Sequence, residues 1–238
     1  MKARALLLTL TVLTAWGARK PDNVPPSIWV REDLFAGYLS GDMETFARGE
    51  RKLDELLSDN PKSPGVRAWK SSTQYFRAIR AHEAGDSAAF DQGYKEALDT
   101  FEALMREAPK DVGVLAIYGG TISTLGHRLP ARLHASANQR SAEVFLQLEE
   151  LQKAQFEKMP AHHRGEVLAG VAQGAARSGQ DELARTYLTR IVTTLDGTPY
   201  AAFARDMLRR PESMRTTKIA CNSCHEPNRL ANFYKGEQ

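Results

Sequence analysis

Residues Gly165 to Leu188 read GEVLAGVAQGAARSGQDELARTYL, and the fold is decided here. Ala169, Gly170 and Gly174 are small residues, suited to a place where two helices approach closely. Gly179-Gln180 is the turn. A glycine there can take the left-handed conformation that closes a helix, and the polar side chain after it starts the next one. Beyond the turn Leu183, Tyr187, Ile191 and Leu195 recur at helical spacing, with the small Ala184 beside them. The stretch predicts a helix, a tight turn and a second, antiparallel helix.

Working outward, the same unit recurs. Phe90, Tyr94, Ala97, Phe101 and Leu104 form the stripe of a helix with one buried face. Phe46, Leu53, Leu56 and Leu57 form another, and Val144, Leu148 and Leu151 a further one. Gly41-Asp42 and Gly85-Asp86 repeat the Gly179-Gln180 turn, with Gly126 in the corresponding place between them. Each second helix is stopped near a proline: Pro61, Pro109, Pro160 and Pro199. Alternation of the strand kind is nowhere sustained. The expected fold class is all-α, an array of about four antiparallel helical hairpins over residues 28–208.

These units resemble tetratricopeptide-type hairpins, and the resemblance implies an α-solenoid with a surface for binding another protein. The match is loose. The turns are 44, 41 and 53 residues apart, longer than that family's 34-residue period.

The first residues read as a secretory signal: Lys2 and Arg4, then the apolar run Ala5 to Trp16, then small residues, with cleavage expected after Gly17. The run falls short of the roughly 20 residues of a transmembrane helix, and no later stretch is long and apolar enough. An exported, periplasmic protein is expected, with residues 18–27 a proline-bearing linker. Residues 1–17 hold two of the 32 basic residues and none of the 29 acidic ones, so the chain from Ala18 carries a formal net charge of +1. That balance, with no basic patch interleaved with aromatics, gives no support for nucleic-acid binding.

Residues 209–238 depart from the hairpin pattern and carry Cys221-Asn222-Ser223-Cys224-His225. Covalent attachment of a porphyrin needs two thiols placed to add to its two vinyl groups, and an imidazole on one face to bind the iron. C-x-x-C-H supplies these in order. The motif is that of the c-type cytochromes. The resemblance is confined to these five residues and implies one covalent haem c, held by Cys221 and Cys224, with His225 as proximal iron ligand. It does not bring the usual small cytochrome fold, which carries the motif near its start. A disulfide, a thioredoxin-type redox pair and a zinc site are the other readings of the two cysteines. The redox pair expects a βαβ setting, and zinc a fourth ligand.

The distal iron position needs a residue from upstream of His225. Met214 is the first candidate and Met207 the second, against the ordinary role of methionine as core filler. Arg209, Arg210, Arg215, Lys218 and Arg229 surround the motif, and one or two could pair with haem propionates. Ile219, Leu230 and Phe233 could cover the porphyrin edge. Elsewhere, His82-Glu83 lacks the second histidine of a zinc-protease motif and reads as a helix terminus. His162-His163 reads as an exposed loop pair, His127 and His134 flank a proline turn, and Tyr118-Gly119-Gly120 reads as a helix crossing. Three functions follow as expectations: electron transfer through a haem that the array docks against a redox partner, an interaction scaffold whose cysteines form a disulfide or are vestigial, and a haem enzyme or sensor with an open axial site.

Overall fold

The structure, a computed structural model, describes Pro26 and residues 28–216. The expected signal, most of the expected linker and Cys221, Cys224 and His225 lie outside the described residues. Among the described residues every regular element is helical. Helix α1 (Ile28–Phe35) runs into a π-helical turn (Ala36–Ser40) and pairs with α2 (Met43–Asp59). Helix α3 (Pro64–Glu83) pairs with α4 (Ser87–Glu107), α5 (Val112–Leu125) with α6 (His134–Gln152), and α7 (Ala161–Arg177) with α8 (Asp181–Thr194). Helix α9 (Pro199–Arg209) packs on α8, and a 3-10 turn (Pro211–Arg215) follows. The all-α array of hairpins is therefore the fold. The first helices of successive hairpins lie side by side, α3 against α5 and α5 against α7.

Local chemistry explains the turns. At Gly85 (φ +82°) the Gly85 amide donates to the His82 carbonyl and the Asp86 amide to that of Ala81, both at 2.9 Å. Gly179 (φ +85°) does the same with Ala176 and Ala175. This double closure satisfies carbonyls that a helix end leaves unpaired. Asp42 and Asp86 then cap the following helices, accepting from the amides of Thr45 and Ala89 at 3.0 Å.

The third turn departs from expectation. Gly126 is right-handed (φ −60°), and the chain crosses by two 3-10 turns, Gly126–Arg128 and Ala131–Leu133. Pro130 holds Leu129 extended, so the helix cannot turn directly into α6. Arg128 fixes the crossing. Its guanidinium binds Glu83 at 2.7 and 2.9 Å and donates to the Tyr38 carbonyl at 3.3 Å, lying over the Phe76 ring.

The core follows the stripes: Phe90, Ala97, Phe101 and Leu104 are buried with Tyr94 half-buried, and Phe46, Leu53, Val144 and Leu148 are buried. Leu151 is the exception. It is exposed, because α6 loosens beyond Gln152 into turns before Pro160. The small residues of α7 face α6 of the preceding hairpin. A Cβ on Gly170 would stand 2.3 Å from the Phe145 ring, and one on Gly174 would stand 2.7 Å from the Asn138 carbonyl oxygen. Gly119 of α5 approaches the same Phe145 ring, where a Cβ would stand 3.0 Å from it, which explains Tyr118-Gly119 as a crossing. A buried hydroxyl chain, Tyr38 to Ser72 to Thr121, joins the first three hairpins at 2.8 Å per link. Each hydroxyl is thereby paired, as buried polar groups require.

Candidate functional site

The described residues end at Thr216, five residues before Cys221. Thr198 caps α9, accepting from the Ala201 amide at 3.3 Å, and Pro199 supplies the fixed φ of a first helical residue. Tyr200, Ala201, Ala204 and Met207, three and four residues apart, form its buried face. Pro211 then ends the helix, because it has no amide to continue the ladder. Met214 lies in the 3-10 turn that follows, not in a loose polar stretch. Its side chain is 3% exposed and belongs to the hydrophobic cluster, in a turn that packs on α7 and α9. The packed body thus continues past residue 208, and both candidate methionines are buried in it.

The basic residues beside the motif are partly engaged. Arg210 binds Asp206, which holds that carboxyl below the usual carboxylate range. Arg215 reaches across to Asp181 at the start of α8, 3.2 Å to each oxygen. Arg209 is exposed. Lys218 and Arg229 lie outside the described residues.

The histidines are placed individually. His82 sits in the last turn of α3, as read from the sequence, with its ring against Phe90. His162 and His163 are in the first turn of α7, not in a loop, since Pro160 marks the start of that helix. His162 is bracketed by Tyr200 Oη at 3.1 Å and Glu166 Oε1 at 3.3 Å, a relay on the surface in which each ring nitrogen has a partner. His134 Nε2 lies 2.7 Å from the Leu129 carbonyl. Among the described residues no group of three or more His, Cys, Asp or Glu is placed to hold a metal ion.

Two clusters escaped the reading of the sequence. Glu102 of α4 accepts from Tyr118 Oη at 2.9 Å and from Arg140 of α6 at 2.7 to 2.9 Å, and the guanidinium lies over the Tyr118 ring. One hairpin on, Glu149 of α6 accepts from Tyr187 Oη at 2.7 Å and from Arg190 of α8. Burial pushes both phenols above their ordinary range, with the adjacent carboxylates adding to it. They stay protonated donors, so each cluster is a clamp between successive outer helices. The sequence offers Glu, Tyr and Arg on outer faces, but nothing in it says that they meet across hairpins.

Glu83 gives a pH test of such clamps. Its carboxyl is held below the usual range, first by its bond to Arg128 and then by Arg80. A depressed carboxyl contributes stability that is present above the unfolded pKa of about 4.3 and lost as pH falls through the folded value. The wild type is expected to lose more stability than Glu83→Gln between pH 6 and pH 3, measured by urea unfolding. Equal losses would remove the clamp from the account.

No candidate membrane span is present among the described helices. Compared with protein-family models, with curated proteins and with solved structures, the chain matches none, so its functional reading rests on its own residues.

Proposed function

We propose that the chain is an exported, periplasmic protein carrying one covalent haem c on its C-terminal segment, with the helical array as the scaffold that presents it to a redox partner. The observation that carries this reading is Cys221-x-x-Cys224-His225, in a chain with no other cysteine and with a secretory-type start. The donor set fits the group: two thiols for two thioether bonds and one imidazole for the iron. When bound, the haem supplies a one-electron couple whose potential depends on its axial ligands. Cys221 and Cys224 would fix the porphyrin to the chain, and His225 would supply a nitrogen ligand to the iron.

Met214 and the body around it bear on the other face. Its sulfur would have to leave the cluster formed with α7 and α9 to reach an iron, giving up roughly 1.5–3 kcal/mol of burial. Its surroundings therefore favour packing. Met214→Ala is expected to lower stability by about 2–5 kcal/mol and to leave the reduced haem spectrum as it is. A change from six-coordinate to high-spin in that variant would make Met214 the distal ligand.

The test of the whole reading is attachment. The chain is expressed with a c-type haem maturation system, denatured, and assayed for haem that stays with the polypeptide. Retained haem is the expected result. Free thiols at both cysteines with no haem would sink the proposal, and a disulfide in place of haem would favour the interaction scaffold.

A further inference from the structure

Helix α5 is unlike its neighbours. Val112–Leu125 contains no charged residue, yet half of it is open. At 100° per residue, Val112, Gly113, Ala116, Ile117, Gly120, Ser123 and Thr124 occupy one arc of about 140°. All of these are exposed or half-buried, Val112 being 42% exposed. The remaining residues, Val114 to Leu125, fill the opposite arc and are buried. A helix apolar on all sides is normally covered on all sides. The comparable uncharged run of α7, Val167–Ala176, is buried throughout, whereas open faces elsewhere carry charge, as Asp91, Lys95 and Asp99 do on α4.

We infer that residues 217–238, with the haem attached, cover this face of α5. The inference rests on the haem reading for the haem itself, and on the body for the face. The described chain ends at Thr216, next to a turn packed on α7, and α7 is α5's neighbour. Crossing from α9 over α7 to α5 spans about 16–20 Å of helix packing. Cys221 can lie up to about 16–18 Å from Thr216, and His225 up to about 30 Å, so the segment reaches. It brings an apolar porphyrin with Ile219, Leu230 and Phe233, which suits a surface without charge. Arg177 stands at the rim, donating to the Ser123 carbonyl at 3.4 Å, a cation where propionates would lie. A second copy fits less well. The face is about 21 Å by 10 Å, about 200 Å² against the roughly 800 Å² per partner of a stable interface. Pro26, the first described residue, precedes α1, whereas the turn before Thr216 packs on α7, the neighbour of α5.

The experiment compares amide NMR spectra of the full chain, haem-loaded and ferric, with those of the full-length Cys221→Ala/Cys224→Ala form. Broadening or shifts are expected at Gly113, Ala116 and Gly120 and not at Lys95 or Asp99. Ala116→Glu, at an exposed position, should abolish them while covalent haem is retained. Attached haem with an unperturbed α5, or perturbations that grow with protein concentration, would overturn the inference. If no haem attaches, the haem reading fails separately, and the tail is then tested alone by trypsin cleavage after Lys218 and Arg229. Cleavage about tenfold faster in Ala116→Glu, equivalent to ~1.4 kcal/mol of docking, would still place the tail on α5. Equal rates would not.

Discussion

Gly174→Ala is expected to destabilise the array although alanine is the better helix former. The favourable side is known: glycine in a helix interior costs about 0.8–1 kcal/mol relative to alanine. Against it stands the added methyl group, 2.7 Å from the Asn138 carbonyl oxygen and 2.8 Å from the Ala142 nitrogen. Both are backbone atoms of α6, which no rotamer change can move. Overpacking of this kind costs about 1–3 kcal/mol, so the clash wins. Gly120→Ala is the control when both substitutions are made in the haem-free Cys221→Ala/Cys224→Ala form, because its new Cβ meets nothing within 4 Å of the described residues. The two variants should move the thermal midpoint in opposite directions. A stabilised Gly174→Ala would mean that α6 and α7 are not packed as described.

The second large effect concerns the haem proposed for the C-terminal segment. On that proposal both thioether bonds would remain in His225→Gly, since they would join Cys221 and Cys224 to the porphyrin without the imidazole. Haem should therefore stay with the chain after denaturation, while the spectrum of the folded protein changes because a strong axial nitrogen is lost. Added imidazole should restore the wild-type spectrum by filling the gap. A spectrum unchanged by the substitution would remove His225 as proximal ligand. Loss of attachment alone would show that the histidine is needed to install the haem and would leave its ligand role to the imidazole titration of whatever fraction is loaded.

The array was legible because its signals are local. A Gly–polar pair that closes one helix and caps the next acts within six residues, and so does a proline stop. Phe90, Phe101 and Leu104 could be assigned to a buried face by periodicity alone. What could not be read is which helix a face meets. Gly170 and Gly174 announce a close approach, but their partner is the helix before and not the helix after, and only packing decides that. The third turn misled for a related reason: Gly126 has the right residue type, while Pro130 four residues on dictates the path. Met214 was read from a polar neighbourhood, and its burial depends on where α9 ends. Of the candidate site, the five residues at 221–225 were legible as chemistry, and the face they would rest against was not. An uncharged helix looks the same in sequence whether it is covered by protein or awaiting cover.

Arg128 carries a further consequence. In an ideal repeat array each unit touches only its neighbours, so the ends fray one unit at a time and stability adds along a line. Here the turn of the third hairpin holds the Glu83 carboxylate at the turn of the second and a backbone carbonyl in the first. Three units are tied at one guanidinium. The first hairpin therefore cannot peel away without disturbing the third, and hydrogen exchange in α1, α3 and α5 should report one shared opening event. The chain is built from repeats but unfolds at this end as a block.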